Sequence, residues 1–250
     1  MLAPERRERI VQLVDMYGSI SASRLIEELD ASPATIRRDI EALAQMGRLV
    51  KVHGGATALN SFTYETFDRA MDERYALSVG EKKIIGAHAA ALIEPGDFVY
   101  IDAGSTTEAL VDALDCPGVM FVTNSVVLAR KLVCKGYRTF LTGGELKAST
   151  EALVGPEAIS GIQRYHFTKG FWGTNGATRA QGFTTPDINE AQVKHAAMER
   201  AGQRFVLADA DKLGRVAPVT FAEFASATVI TAGDVNSVFG KLPNVVEVSE

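Results

Sequence analysis

From residue 80 to residue 209, the chain alternates between short apolar runs and longer segments with helical periodicity. Strands that alternate with helices of this length are typical of a parallel sheet covered by helices. We therefore predict an α/β fold with a mostly parallel sheet for residues 75–250. The predicted strands are DFVYID, MFVTN, TFLTGG, KGFWG and RFVLAD, and the predicted helices span about residues 80–93, 106–114, 125–135, 156–163 and 187–201.

The first 58 residues predict a separate unit of three short helices and a hairpin. Ser32 is a natural N-cap, and Pro33 suits the first position of the third helix, where its missing N–H costs nothing. The short turn before this helix gives helix-turn-helix geometry, and RLVKVHGGATAL predicts a two-stranded wing with a Gly-Gly turn. The predicted organisation is a winged helix-turn-helix at residues 1–58, a linker at 59–74 and an α/β effector domain at 75–250.

The net charge of −5 argues against nucleic acid as a partner, but the charges are unevenly distributed. Residues 1–58 hold eight basic and eight acidic residues, so the excess of acids lies in the rest of the chain. If Ile36 and Ile40 face inward, Arg37 and Arg38 lie near the start of the third helix, where helix-turn-helix proteins contact base edges. Paired arginines are more often a solvated surface, but the cap, the turn and the basic hairpin favour DNA contact here. The predicted DNA-binding residues are Ser32, Thr35, Arg37, Arg38, Arg48, Lys51 and His53.

The segment FVYIDAGSTTEALVDAL predicts a strand, a small-residue turn and the start of a helix. The N–H groups of Gly104 to Thr107 and the helix dipole would attract an anion such as phosphate. Asp102 would stand at the carboxyl end of its strand, where ligands bind in open α/β sheets. The same residues are equally consistent with a tight turn that serine and threonine cap.

Two later strands, in FVTNS and FLTGG, also end in small and polar residues and would complete one pocket rim. Lys194 and Lys212 would supply counter-charges, although a helical lysine is more often a surface residue. Asp209 would accept a sugar hydroxyl or pair with Lys212. The predicted effector-binding residues are Asp102, Gly104, Ser105, Thr106, Thr123, Asn124, Gly143, Gly144, Lys194, Asp209 and Lys212.

Several motifs resemble the DeoR/GlpR family of bacterial transcription regulators over essentially the whole chain. They are SPATIRRDIEAL, GRLVKVHGGA, Arg74 with Glu81-Lys82, IDAGSTT, VTNS, LTGG, GFTTPDINEAQVK and VLADADKLGR. The resemblance implies a winged helix-turn-helix joined to a sugar-phosphate-sensing domain similar to ribose-5-phosphate isomerase. It also implies a repressor of a carbohydrate or polyol operon that a phosphorylated metabolite releases. We expect the long linker to act as the lever, with Arg74 and Lys82 at its junction with the effector domain. One departure is Thr168, which stands where many relatives carry an aspartate and puts ligand contacts at Thr168 and Lys169 in doubt.

Two enzymatic alternatives stay open from the sequence. A sugar-phosphate isomerase needs a base over a carbon acid, and Asp102, Glu145 and Asp209 are possible bases without a telling spacing. A sugar kinase would also use a loop like IDAGSTT, but no second Asp-containing glycine loop matches it. The four histidines have no metal-ligand spacing, so no metal or other cofactor is expected.

The expected partners are operator DNA, a phosphorylated sugar or polyol, and further copies of the chain as a dimer or tetramer, since helix-turn-helix proteins pair half-sites. The sequence contains no run of about 18 apolar residues, so we predict no membrane span. The charged N-terminus does not resemble a secretory signal. Cys116 and Cys134 lack CxxC spacing and are interpreted as free thiols, which favours the cytoplasm.

Overall fold

The computed structural model describes residues 2–52, 54–58, 77–233, 235, 239–240 and 242–249 of the 250-residue chain. The chain folds into two units, Met1–Tyr64 and Glu65–Glu250. The predicted linker at 59–74, with Arg74, and the predicted DNA-binding residue His53 lie outside the described residues.

The N-terminal unit contains the three predicted helices, each begun by local sequence signals. Ser21 and Ser32 cap the second and third helices by accepting hydrogen bonds from the backbone N–H groups of Arg24 and Thr35, each at 3.2 Å. Buried aliphatic side chains from all three helices form one core around Ile10, Leu25 and Ile36. The elements are α1 (Ala3–Tyr17), β1 (Ser19–Ser21), α2 (Ala22–Leu29), α3 (Pro33–Gln45), β2 (Val50–Val52) and β3 (Gly55–Thr57).

The predicted two-stranded wing is instead part of a three-stranded antiparallel sheet in the order β1-β3-β2. No strand signal marks β1 in the sequence, because three residues are too few to show a period. Gly55 permits the extra pairing, since a Cβ at this position would lie 2.2 Å from the carbonyl oxygen of Ile20 in β1.

The C-terminal unit is built on a seven-stranded sheet in the order β15-β14-β12-β9-β4-β5-β6, and every neighbouring pair in it is parallel. The predicted α/β fold with a mostly parallel sheet is therefore confirmed. Its elements are α4 (Val79–Ala91), β4 (Phe98–Ile101), α5 (Ser105–Ala113), β5 (Met120–Thr123), α6 (Val126–Cys134), β6 (Arg138–Leu141), β7 (Glu145–Lys147), β8 (Ala152–Val154), α7 (Pro156–Gln163), β9 (Phe167–Gly173), β10 (Gly176–Thr178), β11 (Gly182–Thr185), α8 (Ile188–Met198), β12 (Ala201–Leu207), β13 (Val219–Ala222), β14 (Thr228–Thr231) and β15 (Val245–Glu247), with short 3₁₀ helices at Ala210–Lys212 and Phe224–Ser226.

Side chains that alternate along the central strands fill a separate core on each face of the sheet. Tyr100 and Trp172 belong to one core, and Ile101 and Phe171 belong to the other. Outside the main sheet, the structure contains strands that the sequence analysis does not predict. β7 and β8 form a hairpin, and β10, β11 and β13 form a three-stranded antiparallel sheet. Within the described residues, no helix is long and apolar enough to cross a membrane.

The order of the strands creates one switch point in the sheet. From β4 the chain continues to β5 and β6 on one side, whereas from β9 it continues to β12, β14 and β15 on the other. β4 and β9 are neighbours, so the connections after them diverge at their carboxyl ends. In open α/β sheets a ligand crevice forms at this point.

Candidate functional site

The third helix of the N-terminal unit exposes both of its adjacent arginines. Ile36 and Ile40 are buried, while Arg37 and Arg38 are exposed, and no described residue forms an ion pair or hydrogen bond with either guanidinium. The neighbouring acid does not neutralise them, because buried Asp39 accepts hydrogen bonds from Arg6 Nε at 2.7 Å and Arg7 Nε at 2.8 Å. The outer face of α3 therefore keeps its positive charge.

The other predicted DNA-binding residues lie around this helix in less open environments. The hydroxyls of Ser32 and Thr35 are 2.8 Å apart and bond to each other at the cap. Arg48 Nη2 lies 3.4 Å from a Glu8 carboxylate oxygen, and Lys51 pairs with Glu41. Both ion pairs are exposed, and such pairs contribute at most about 1 kcal/mol, so they leave both cations available to a polyanion.

In the C-terminal unit, a cleft opens at the carboxyl ends of β4 and β9, at the switch point of the sheet. Eight of the eleven predicted effector-binding residues line it: Asp102, Gly104, Ser105, Thr106, Asn124, Lys194, Asp209 and Lys212.

Three predicted residues do not line the cleft. Thr123 is fully buried, and its Oγ1 accepts a hydrogen bond from the Ser125 N–H at 3.0 Å. Gly143 and Gly144 follow the edge strand β6, two strands away from the switch point, and lead into β7. Gly144 serves that turn, with φ +116° and no room for a Cβ, which would lie 2.4 Å from the carbonyl oxygen of Val154.

A buried ion pair closes the floor of the cleft. Lys194 Nζ of α8 pairs with Asp102 and also donates to the Gly173 carbonyl oxygen at 3.2 Å. The Gly173 N–H donates to Asp102 at 3.3 Å, so the pair joins the ends of β4 and β9. Burial raises the pKa of the Asp102 carboxyl, and the Lys194 ammonium opposes this effect.

The turn after β4 presents the start of α5 to the cleft. Thr107 Oγ1 donates to the carbonyl oxygens of Asp102 at 2.7 Å and Gly104 at 2.8 Å, and the Ala103 N–H donates to Asn124 Oδ1 at 3.0 Å. No side chain caps α5, and within the described residues we find no acceptor for the N–H groups of Ser105 and Thr106. Unpaired N–H groups at a helix start and the helix dipole favour negative charge, so this end of the cleft is the one that suits an anion.

Asp209 is a buried carboxylate at the opposite wall, after β12. It is 3% exposed, and its Oδ1 atom has no hydrogen-bond partner among the described residues. Burial raises its pKa, while Lys212 and Lys82 act in the opposite direction. Lys212 does not pair directly with it, so a carboxylate oxygen and a lysine both face the cleft unpaired within the described part of the chain.

The sequence interpretation missed part of the lining, including Glu190, Thr150 and Arg215. Glu190 accepts hydrogen bonds from Thr150 Oγ1 at 2.7 Å and from Lys147 Nζ at 3.0 Å, which fastens the β7–β8 hairpin to α8. Glu190 and Lys194 are four residues apart, so their side chains lie on the same face of the helix. This spacing is visible in the sequence and could have indicated that Glu190 lines the cleft with Lys194.

Known protein families match the two units of the chain separately. Residues 6–62 match the DeoR-like helix-turn-helix domain, and residues 78–233 match the DeoR C terminal sensor domain. The chain belongs to the DeoR family.

Its relatives include the uncharacterized HTH-type transcriptional regulator FruR of Bacillus subtilis, which is 38% identical over 92% of this chain and 91% of that protein. The lactose phosphotransferase system repressor of Streptococcus mutans is 30% identical over 92% of each chain. Among solved structures, ribose 5-phosphate isomerase A of Methanocaldococcus jannaschii aligns with a TM-score of 0.38 and 15% identity over 53% of each chain. Because its family domains and sequence relatives are those of regulators, this DeoR-family chain is a DNA-binding transcriptional regulator and not an enzyme.

Thr168 and Lys169, whose ligand contacts the sequence puts in doubt, lie at the start of β9 and do not line the cleft. Thr168 Oγ1 donates to Asp97 at 2.7 Å, and Lys169 Nζ lies 2.8 Å from the other oxygen of the same carboxylate. Burial opposes ionisation of Asp97, but its hydrogen bonds with Lys169, the Glu94 N–H and Thr168 outweigh that effect and lower its pKa. This cluster is structural in the DeoR-family chain, and no group of acidic, histidine or cysteine residues suited to a metal occurs within the described ranges.

Proposed function

We propose that this chain is a cytoplasmic, homo-oligomeric repressor of a carbohydrate or polyol operon, and that a phosphorylated sugar or polyol releases it from its operator. The observation that carries the proposal is the cleft, which combines an uncapped helix start with lysines and an unpartnered buried carboxylate. The name of the Streptococcus relative, a lactose phosphotransferase system repressor, supports a sugar-related operon.

Different residues of the cleft would bind different parts of such a ligand. The N–H groups and hydroxyls of Ser105 and Thr106 would bind the phosphate, with Lys82 and Lys212 as counter-charges. Asp209 would accept a hydrogen bond from a hydroxyl, because its free Oδ1 is costly to bury without a donor. An unphosphorylated sugar would satisfy only the second contact and should bind weakly.

Release requires that the ligand bind the operator-incompetent state more tightly than the competent one, since equal affinity shifts nothing. On the DNA side, Arg37 and Arg38 would contact bases or phosphates from the start of α3, and two copies would occupy two half-sites.

The proposal is tested by fluorescence anisotropy of the full chain on DNA from upstream of its own gene, at fixed salt. The titrants are inorganic phosphate, glycerol 3-phosphate, ribose 5-phosphate, glucose 6-phosphate, fructose 1-phosphate and fructose 6-phosphate, each organic compound with its unphosphorylated form as a control. We expect one phosphorylated compound to reverse tight binding while its parent alcohol does not. Release by a parent alcohol, or by no compound, would contradict the proposed effector class.

A further inference from the structure

The residue before α4 has an unusual backbone conformation for its type. Ser78 has φ +50° and ψ +38°, which lie in the left-handed region. Residues other than glycine, asparagine and aspartate rarely occupy this region. Within the described residues, Asp30 and Glu151 are the other non-glycine positions with positive φ. Ser78 therefore carries backbone strain at a defined point of the chain.

Ser78 also stands where serine usually stabilises a helix, yet it makes no cap. Ser21, Ser32 and Ser125 begin their helices with extended backbones, and each accepts a hydrogen bond from a first-turn N–H. Ser78 occupies the same position before α4, but its left-handed backbone leaves its side chain without that bond. An extended conformation at Ser78 would relieve the strain and add the cap, so the surroundings of Ser78 must hold the left-handed state, and a change in those surroundings can release it.

The same residue is part of the ligand cleft. Leu77 and Ser78 line it together with Lys82 of the first turn of α4, and Asp209 and Ser105 line the same cleft. The carboxylate of Glu81 lies against Gly233, where a Cβ would be 2.8 Å from Glu81 Oε1, so this turn of α4 packs closely on the segment after β14. A rotation at Ser78 is then transmitted toward Leu77 and the residues before it, which connect to the DNA-binding unit.

We propose that Ser78 is a two-state hinge through which the cleft controls operator binding. The left-handed state belongs to the operator-binding form, and an anion in the cleft favours the extended, capped state. This inference rests on the proposed function, because it assigns the regulation of the same site.

Two substitutions at Ser78 bias the hinge in opposite directions. Ser78→Gly accepts positive φ without strain and removes the cap, so it favours the left-handed state. Ser78→Pro fixes φ near −65° and excludes that state, while the position before a helix needs no N–H. Glu151→Gly is the matched control, since it relieves the same kind of strain in the same unit at a residue that does not line the cleft.

The experiment measures operator affinity and ligand affinity of the full chain, the latter without DNA from the emission of Trp172. The probe is the compound that releases the wild type, or inorganic phosphate if none does. For Ser78→Gly we expect normal operator affinity and about tenfold more ligand for half-release. For Ser78→Pro we expect operator affinity at least about fivefold weaker without ligand, together with tighter ligand binding, because coupling is reciprocal. Glu151→Gly should match the wild type in both.

Equal operator affinities and equal ligand affinities for the two Ser78 variants would overturn the hinge, even if a sugar phosphate releases the wild type. Conversely, if no compound releases the wild type, the proposed effector class fails, and the hinge is judged on operator affinity alone. Ser78→Ala provides a second test in case the proline variant does not fold. It removes only the cap, and it should also raise the ligand concentration needed for half-release.

Discussion

At the scale of single residues, the exposed arginines of α3 and the buried carboxylate of Asp209 have opposite surroundings. Arg37 and Arg38 keep their charge because Arg6 and Arg7 of α1 hold the adjacent Asp39. Asp209 is buried, with one oxygen unpartnered within the described residues. In both places the fold leaves a charged or polar group without a partner among the described residues. We propose DNA as the partner of the arginines and a sugar phosphate as the partner of Asp209.

Loss of both arginines should weaken operator binding and reduce its dependence on salt. For Arg37→Ala with Arg38→Ala, each lost phosphate contact should flatten the slope of log affinity against log salt by about 1, and a lost guanine contact should cost about 1–3 kcal/mol at one base position. Arg9→Ala is the control for the loss of one positive charge from an exposed site in α1, and its effect is compared with half of the effect of the double variant. Anisotropy at several salt concentrations measures both effects, and unchanged operator binding by the folded double variant would remove α3 as the recognition helix.

Replacement of Asp209 should stabilise the ligand-free fold and weaken its response. Burial raises the pKa of this carboxyl, so the folded chain retains a proton at pH values where the unfolded chain has released it. Stability from this group therefore falls as pH rises above the ordinary value for aspartate. Asp209→Asn should raise the urea midpoint at pH 7, followed by Trp172 emission, and the gain should vanish as pH falls below the ordinary value. A lower midpoint at pH 7 would contradict this account of the carboxylate.

At the scale of elements, the close crossing of α4 and α5 positions the start of α5, the proposed anion site of the cleft. Gly86 of α4 lies against the backbone of α5, where a Cβ would be only 2.5 Å from the carbonyl carbon of Ala109. Gly86→Ala should therefore push α5 away, lower the free energy of unfolding by about 1–3 kcal/mol and weaken ligand binding. Gly80→Ala is the matched control on the same helix, because nothing lies within 4 Å of its added Cβ, and it should be neutral or stabilising by up to about 1 kcal/mol. Equal urea midpoints for the two variants would contradict the close crossing.

Elements whose own residues show a strand or helix periodicity could be predicted from the sequence. The alternation of apolar runs and helical segments predicted the strands and helices that flank the switch point, and with them Asp102, Asn124 and Lys194. The hairpin contact of Thr150 with Glu190 joins residues 40 positions apart, and no local period encodes it. The sequence predicts Gly143 and Gly144 at the cleft because they end a strand and are small, but the strand order, which depends on the whole sheet, sets β6 apart from the cleft.

At the scale of the whole molecule, the chain joins a DNA-binding unit, Met1–Tyr64, to a sensor unit, Glu65–Glu250. The charge distribution follows this division, with balanced charges in residues 1–58 and the acidic excess elsewhere. The DeoR-family match covers both units, and the proposed function depends on how the second unit changes the affinity of the first for DNA. Such coupling is a difference in ligand affinity between two states of the protein.

The central claim is that an anion held at the start of α5 controls operator binding, and one comparison tests it most directly. Operator release by the active sugar phosphate is measured for the wild type and for the double variant Ser105→Ala with Thr106→Ala. We expect operator affinity to stay within about twofold and the ligand needed for half-release to rise at least about tenfold, because two hydrogen bonds to a charged group are lost. A normal half-release concentration in the double variant would show that the phosphate binds elsewhere and would contradict the account.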